Sequence, residues 1–166
     1  MSELLLVRHA KSDWGAGLAD ADRPLNRRGE QSARTMGRVL ALAGRAPDLV
    51  LTSPARRARL TAELAVEAGE WACLVVEDES LLPGSPRQVI EAIRRHAGAA
   101  RRPAVIGHEP ALSQTANLLL GGSQLHMVTG AVACLEVDSW NELGPGAATL
   151  AWMLTPRLFT EGRFPL

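Results

Sequence analysis

The chain has 166 residues, a length that points to one domain, 1–166, with room for a hydrophobic core. Hydrophobic residues at 46% and charged residues at 22% are ordinary globular usage, which excludes disordered, collagen-like and low-complexity classes. Eighteen Lys+Arg balance eighteen Asp+Glu, so no global field draws the chain to nucleic acid or to an acidic membrane surface.

Lys11 is the only lysine, so the positive charge is carried by arginine, whose planar fork suits carboxylate and phosphate oxygens. With no Tyr and few other aromatic residues, the chain lacks stacking platforms for single-stranded nucleic acid. Cys73 and Cys134 both sit in apolar runs and read as buried small hydrophobes, which fits a reducing compartment. The start, Met1 to His9, has no basic leader and too short an apolar run for a signal peptide or membrane span, so a cytoplasmic location is expected.

Leu4 to Val7 is a continuous apolar run ending in Arg8-His9, the pattern of a strand buried on both faces. Lys11 to Asn26 shows no period and contains Gly15, Gly17 and Pro24, which predicts a long functional loop. Gly29 to Leu42 turns helical, with Ala33, Met36, Gly37, Leu40 and Ala41 at helix spacing and Gly44 as the stop. Asp48 to Thr52 is a second strand, and Ser53-Pro54 turns the chain into a helix over Ala55 to Ala68. A strand at Cys73 to Val76, a helix at Pro86 to Ala97, a strand at Pro103 to Ile106 and a helix at Ala111 to Leu120 come next. Ala131 to Val137 and Ala147 to Leu154 then read as an antiparallel pair. The alternation predicts an α/β three-layer sandwich: a mostly parallel central sheet flanked by helices, with an antiparallel C-terminal addition.

Ligands of such sheets sit beyond the carboxyl ends of the strands. Those ends here deliver Arg8-His9, then Thr52-Ser53 with Arg56-Arg57, then Gly107-His108-Glu109. Two histidines and several arginines in one crevice suit phosphoryl transfer through a histidine nucleophile, with arginines taking up charge on the equatorial oxygens.

The same residues carry a resemblance. Arg8-His9-Ala10 resembles the Arg-His-Gly signature of the histidine phosphatase (phosphoglycerate mutase-like) superfamily, with alanine for the usual glycine. Leu25 to Ala33 is similar to its Leu-x-x-x-Gly-x-x-Gln-Ala entry into a helix, Ser53 to Ala62 to its Ser-Pro-x-x-Arg-Ala-x-Gln-Thr-Ala block, and Gly107-His108 to its Gly-His block. The resemblance implies that His9 becomes phosphohistidine, that Arg8 and Arg57 bind the phosphoryl group, and that His108 contacts it from the opposite side. The alanine, the short chain and the Asp20-x-Asp22-Arg23-Pro24-Leu25 stretch look most like the small SixA-type phosphohistidine phosphatase branch, which implies a phosphohistidine protein as substrate.

Two departures sharpen that expectation. Where many relatives carry a glutamate acid after the third strand, this chain aligns Leu82 or Pro83, and Glu79 falls too early. A missing acid suits a phosphoramidate and disfavours an alkyl phosphate. Gly15 replaces an asparagine of mutase-like members, leaving Ser12 as a candidate phosphate contact.

Arg56 and Arg59 read as solvated helix arginines, and Arg23, Arg27 and Arg28 as a solvated rim, with steering of acidic partners as the alternative. His96 fits a helix-dipole contact, His126 a surface or packing role with approach to the site from a loop as the alternative, and Glu109 either an orienting role in the site or the start of the following helix. No metal-ligand spacing and no nucleotide-binding glycine motif occurs, so neither a metal nor a cofactor is expected. The expected function is a metal-independent phosphatase acting on a phosphorylated protein or a small phosphorylated metabolite. A mutase-like phosphotransferase and a non-catalytic phospho-ligand binder are the alternatives.

Overall fold

The computed structural model describes residues 1–15 and 17–162; Ala16 of the expected Lys11 to Asn26 loop and residues 163–166 of the expected domain lie outside the described residues. Strand β1 (Ser2–Arg8) leads into the long loop, whose Asp20–Asp22 segment forms a short 3-10 turn. Helix α1 (Arg27–Leu42) starts two residues before the predicted Gly29, because the Asn26 side chain accepts the Gly29 N–H at 2.9 Å and caps it. Then come β2 (Leu49–Thr52), α2 (Arg56–Gly69), β3 (Leu74–Glu77), α3 (Pro86–His96), β4 (Pro103–Gly107) and α4 (Ala111–Leu119). Strands β5 (Val132–Val137) and β6 (Ala148–Leu154) and the short helix α5 (Arg157–Thr160) complete the described chain. Further 3-10 turns at Glu79–Leu81 and Trp140–Glu142, like α5, lack a sequence period and were not predicted.

The strands form one sheet in the order β3-β2-β4-β1-β5-β6. β1 to β4 are mutually parallel, β5 runs antiparallel to β1, and β6 antiparallel to β5. The sandwich is therefore as expected, with the C-terminal pair extending the main sheet. Alternation along β1 splits its apolar run between two layers. Leu4 and Leu6 pack with Val89, Ile93, Leu112 and Leu119 of α3 and α4. Leu5 and Val7 pack with Met36, Leu40, Ala58 and Ala62 of α1 and α2. Each fully buried side chain of this kind contributes roughly 1.5–3 kcal/mol, so the site stands on a stiff support.

Both cysteines are free thiols; Cys134 is buried on β5, whereas Cys73 is only half-buried beside the edge strand β3, against expectation. Among the described residues no helix is long and apolar enough to cross a membrane.

Candidate active site

The carboxyl ends of β1, β2 and β4 lie side by side because those strands are neighbours in the sheet and parallel, so the residues just past each strand meet those just past the others. His9 comes directly after β1, with its N–H donating to the Gly107 carbonyl at 3.0 Å, and His108 directly after β4. The two rings are 5.1 Å apart between centroids and tilted by 52°. Both residues are buried.

Protons can be placed on both rings. His9 Nδ1 lies 2.7 Å from the Ala10 carbonyl, which only accepts, so Nδ1 carries the hydrogen and Nε2 keeps its lone pair. His108 Nε2 lies 2.8 Å from Ser53 Oγ, which already accepts the Ala55 N–H at 3.2 Å. The arrangement that satisfies the serine has its hydroxyl donating to Nε2, which puts the His108 proton on Nδ1, a buried atom without a partner. Burial foremost, then the charges of Arg57, Arg8 and Arg23, pulls the His9 imidazole down to about 4. Burial, then His9 and Arg57, pulls His108 down to about 3, with the Asp20 charge opposing. Both imidazoles are therefore neutral at pH 7.

Three arginines surround the pair. Arg8 at the end of β1 donates Nη1 to the Met127 carbonyl at 2.9 Å, and its Nε is buried without a partner. A chain of bonds fixes that carbonyl: the Met127 N–H donates to Ser113 Oγ at 3.0 Å, and the Ser113 N–H donates to Glu109 Oε1 at 3.0 Å. Glu109 thus serves the first turn of α4, the second of its two expected roles. Arg57, in the first turn of α2, is buried, while its neighbour Arg56 is exposed, as the motif register required. Thr61 joins this helix to the segment that follows β1, accepting the Ala10 N–H at 3.0 Å and donating to the Arg57 carbonyl at 2.7 Å. Arg57 Nε is also buried and unpartnered. Two arginine donors and one imidazole donor left unpaired in a buried crevice are a costly arrangement in an empty site and a useful one for an anion.

Two glycines make the crevice possible. A side chain at Gly29 would meet the Lys11 carbonyl at 2.0 Å, so α1 can press against the loop after β1 only with glycine there. Gly130, at φ +74°, donates its N–H toward the Arg8 and His9 carbonyls at 3.1 Å each and turns the chain into β5.

The third arginine departs from the sequence reading. Arg23, expected as a solvated rim residue, is buried: Nη1 donates to Ser12 Oγ at 2.9 Å, Nε and Nη2 reach Asp20 Oδ1 at 3.0 and 2.9 Å, and its guanidinium lies 3.7 Å over the Trp14 ring. Its charge is felt at both His9 and His108. Ser12, expected on the phosphate, is buried with its Oγ accepting from Arg23. Asp20 also binds Arg57, and the Arg23 and Arg57 contacts hold its carboxyl below the ordinary range. Arg23 and Asp20 were missed as site residues, although their i, i+3 spacing beside Pro24 was a usable signal. Outside the crevice, His126 is exposed, as expected, and His96 pairs with buried Asp78 at 2.9 Å instead of resting on the helix dipole alone. Of the two positions that the resemblance matched to an acid, Leu82 is half-buried and Pro83 exposed, and Glu79 is exposed. Among the described residues no group of three or more His, Cys, Asp or Glu could hold a metal ion.

Two buried, neutral imidazoles and converging arginines at strand ends of an α/β sandwich are the equipment of a phosphoryl-handling class of protein. The model of the histidine phosphatase superfamily (branch 1) matches residues 4–82. An uncharacterised protein of Mycobacterium tuberculosis is 35% identical over 164 residues, spanning 91% of this chain and 100% of the relative. A 2,3-bisphosphoglycerate-dependent phosphoglycerate mutase of Thermobifida fusca is 47% identical over 72 residues, which cover 40% of this chain and 28% of the mutase. Among solved structures, the protein histidine phosphatase SixA complexed with tungstate is similar, with a TM-score of 0.81 and 24% identity, covering 93% of this chain and 97% of that one. A mycobacterial glucosyl-3-phosphoglycerate phosphatase is similar with a TM-score of 0.72 and 16% identity, covering 92% of this chain and 98% of that one; both likenesses are of fold. The chain belongs to the histidine phosphatase superfamily.

Proposed function

We propose that the protein is a metal-independent phosphatase that works through a phosphohistidine on His9, and that its substrates carry phosphorus on nitrogen, as a phosphohistidine side chain does. The observation that carries this reading is the state of His9: buried, uncharged, and held through Nδ1 on the Ala10 carbonyl so that Nε2 is the nucleophile.

In the first step the Nε2–P bond forms as the P–N bond of the substrate breaks. Arg8, Arg57 and the Nδ1–H of His108 take charge on the equatorial oxygens, with Arg23 behind them. In the second step water attacks phosphorus, the Nε2–P bond breaks, and inorganic phosphate leaves with His9 restored. No metal is needed in this scheme, because the arginines supply the positive charge.

The leaving group decides between substrate classes. An alkoxide needs a proton from the enzyme, and neither Leu82 nor Pro83 can supply one. Asp20, whose charge reaches His108, is held ionised by Arg23 and Arg57 and is a poor donor. The imidazole of a phosphohistidine takes its proton from water on the ring nitrogen remote from phosphorus, and departs neutral without an enzyme acid. This chemistry favours a phosphorylated protein over the small phosphoester and mutase alternatives.

The test is phosphate release from phosphoramidate and from an aryl phosphate, each with excess chelator, for wild type, His9→Ala and Leu82→Glu. Wild type should turn over phosphoramidate faster than the ester, lose that turnover in His9→Ala and be indifferent to chelator. Leu82→Glu should gain on the ester relative to wild type. A wild type inert to both compounds would reduce the site to a phosphate binder.

A further inference from the structure

Asp20 has no part in that chemistry, yet it holds the best contacts in the crevice. The Asp20–Asp22 turn is exposed at every residue, and the Asp20 side chain is 64% exposed. Acids so placed gain little from one surface ion pair. This one instead meets two arginine side chains that are only 7% and 10% exposed, Arg57 and Arg23. Arg57 commits both terminal nitrogens to it, Nη1 to the Asp20 carbonyl at 2.7 Å and Nη2 to Oδ2 at 3.1 Å. Arg23 gives Nε and Nη2 to Oδ1 at 3.0 and 2.9 Å. A carboxylate that takes both Arg23 nitrogens on Oδ1 and one Arg57 nitrogen on Oδ2 imitates part of what a phosphoryl group offers the same residues. Arg56 Nη1 adds a long 3.4 Å contact to the Asp22 carbonyl, so the turn is tied to the body mainly through Asp20. Arg57 and Arg23 are also cations whose charge reaches the nucleophile, so carboxylate and reacting phosphoryl draw on one set of positive groups.

We propose that Asp20 is a resident anion of the phosphoryl site, which competes with the incoming group for Arg57 and Arg23 and gives way to solvent when a dianion binds. The inference rests on the phosphatase reading and adds what sets the affinity and charge preference of that site. A phosphoryl dianion outweighs the single charge of the carboxylate and displaces it, at small cost because Asp20 is already largely hydrated. A monoanionic diester holds no such advantage, so the contact selects terminal phosphoryl groups. The same competition speeds departure of the product phosphate.

The test titrates inorganic phosphate calorimetrically into wild type, Asp20→Asn and Asp22→Asn, and follows amide hydrogen exchange at residues 18–22 with and without phosphate. Asp20→Asn should bind phosphate about 3- to 5-fold tighter, the scale of losing one competing ion pair. Asp22→Asn removes the same charge two residues along and should stay within about 2-fold of wild type. Phosphate should speed exchange at these residues in wild type and have little effect in Asp20→Asn. Equal or weaker binding by Asp20→Asn, or slower exchange on adding phosphate to wild type, overturns the inference: Asp20 would then be holding Arg57 in place for the ligand. Absence of phosphate binding in all three proteins overturns the phosphatase reading and this inference together.

Discussion

The two ends of the sheet carry similar side chains and use them differently. At the amino end, Glu3, Arg45, Asp48, Arg101 and Arg102 line a cleft of about 380 Å³. Glu3 takes Arg45 at 2.7 Å and also Arg102, while Asp48 accepts the N–H groups of Arg101 and Arg102 at 2.7 and 3.0 Å. Arg102 also donates Nη1 to the Gly44 and Ala46 carbonyls. At the carboxyl end, buried nitrogens of Arg8, Arg57 and His108 have no partner, and two imidazoles stay neutral beside them. Glu3, Arg45 and Arg102 at the amino end answer one another's charges as a structural clasp, whereas the carboxyl end keeps buried donors unpaired beside a neutral imidazole.

The largest effect expected from breaking that contrast is at His9. His9→Ala should lower phosphoramidate turnover by at least about 1,000-fold, as loss of a nucleophile does, while Arg45→Ala at the other end leaves it unchanged. Steady-state phosphate release checks both. Next comes Arg57→Ala, which should lower kcat/KM by roughly 100-fold through lost charge stabilisation, with melting temperature measured alongside to show the fold intact.

Acid should also separate the ends. For His9 and His108 the folded-state values lie below the unfolded value of about 6.5, so the unfolded chain binds more protons in between. Their stability contribution is complete above about pH 6.5 and is lost as pH falls toward 4, on the order of 3 kcal/mol for His9. Urea unfolding between pH 7.5 and 4.5 should show this slope in wild type and a shallower one in His9→Asn. The smallest effect belongs to the clasp: Arg102→Ala should cost about 1–2 kcal/mol, read as a melting temperature lower by a few degrees, with turnover unaltered.

Much of this was legible in the chain because it rests on periodic or local patterns. The Leu4 to Val7 run announced a strand buried on both faces, and Arg8, His9, Arg57 and His108 were readable because strand ends of parallel neighbours must converge. The order of the blocks also picked Arg57 over exposed Arg56. The hidden part depends on long-range pairing across an aperiodic loop. Arg23 is buried against Trp14 and Ser12, contacts that no period encodes, and Asp20 meets Arg57 across 37 positions of sequence. The buried Asp78 that captures His96 escaped for the same reason.

The most direct test of the central claim is to mix the protein briefly with phosphoramidate, quench in base and map bound phosphate by mass spectrometry. His9 should carry an acid-labile, base-stable phosphoryl group that is absent from His9→Ala and is discharged to inorganic phosphate on further incubation. Turnover with no phosphoryl-enzyme at any quench time, or with label on another residue, would contradict it.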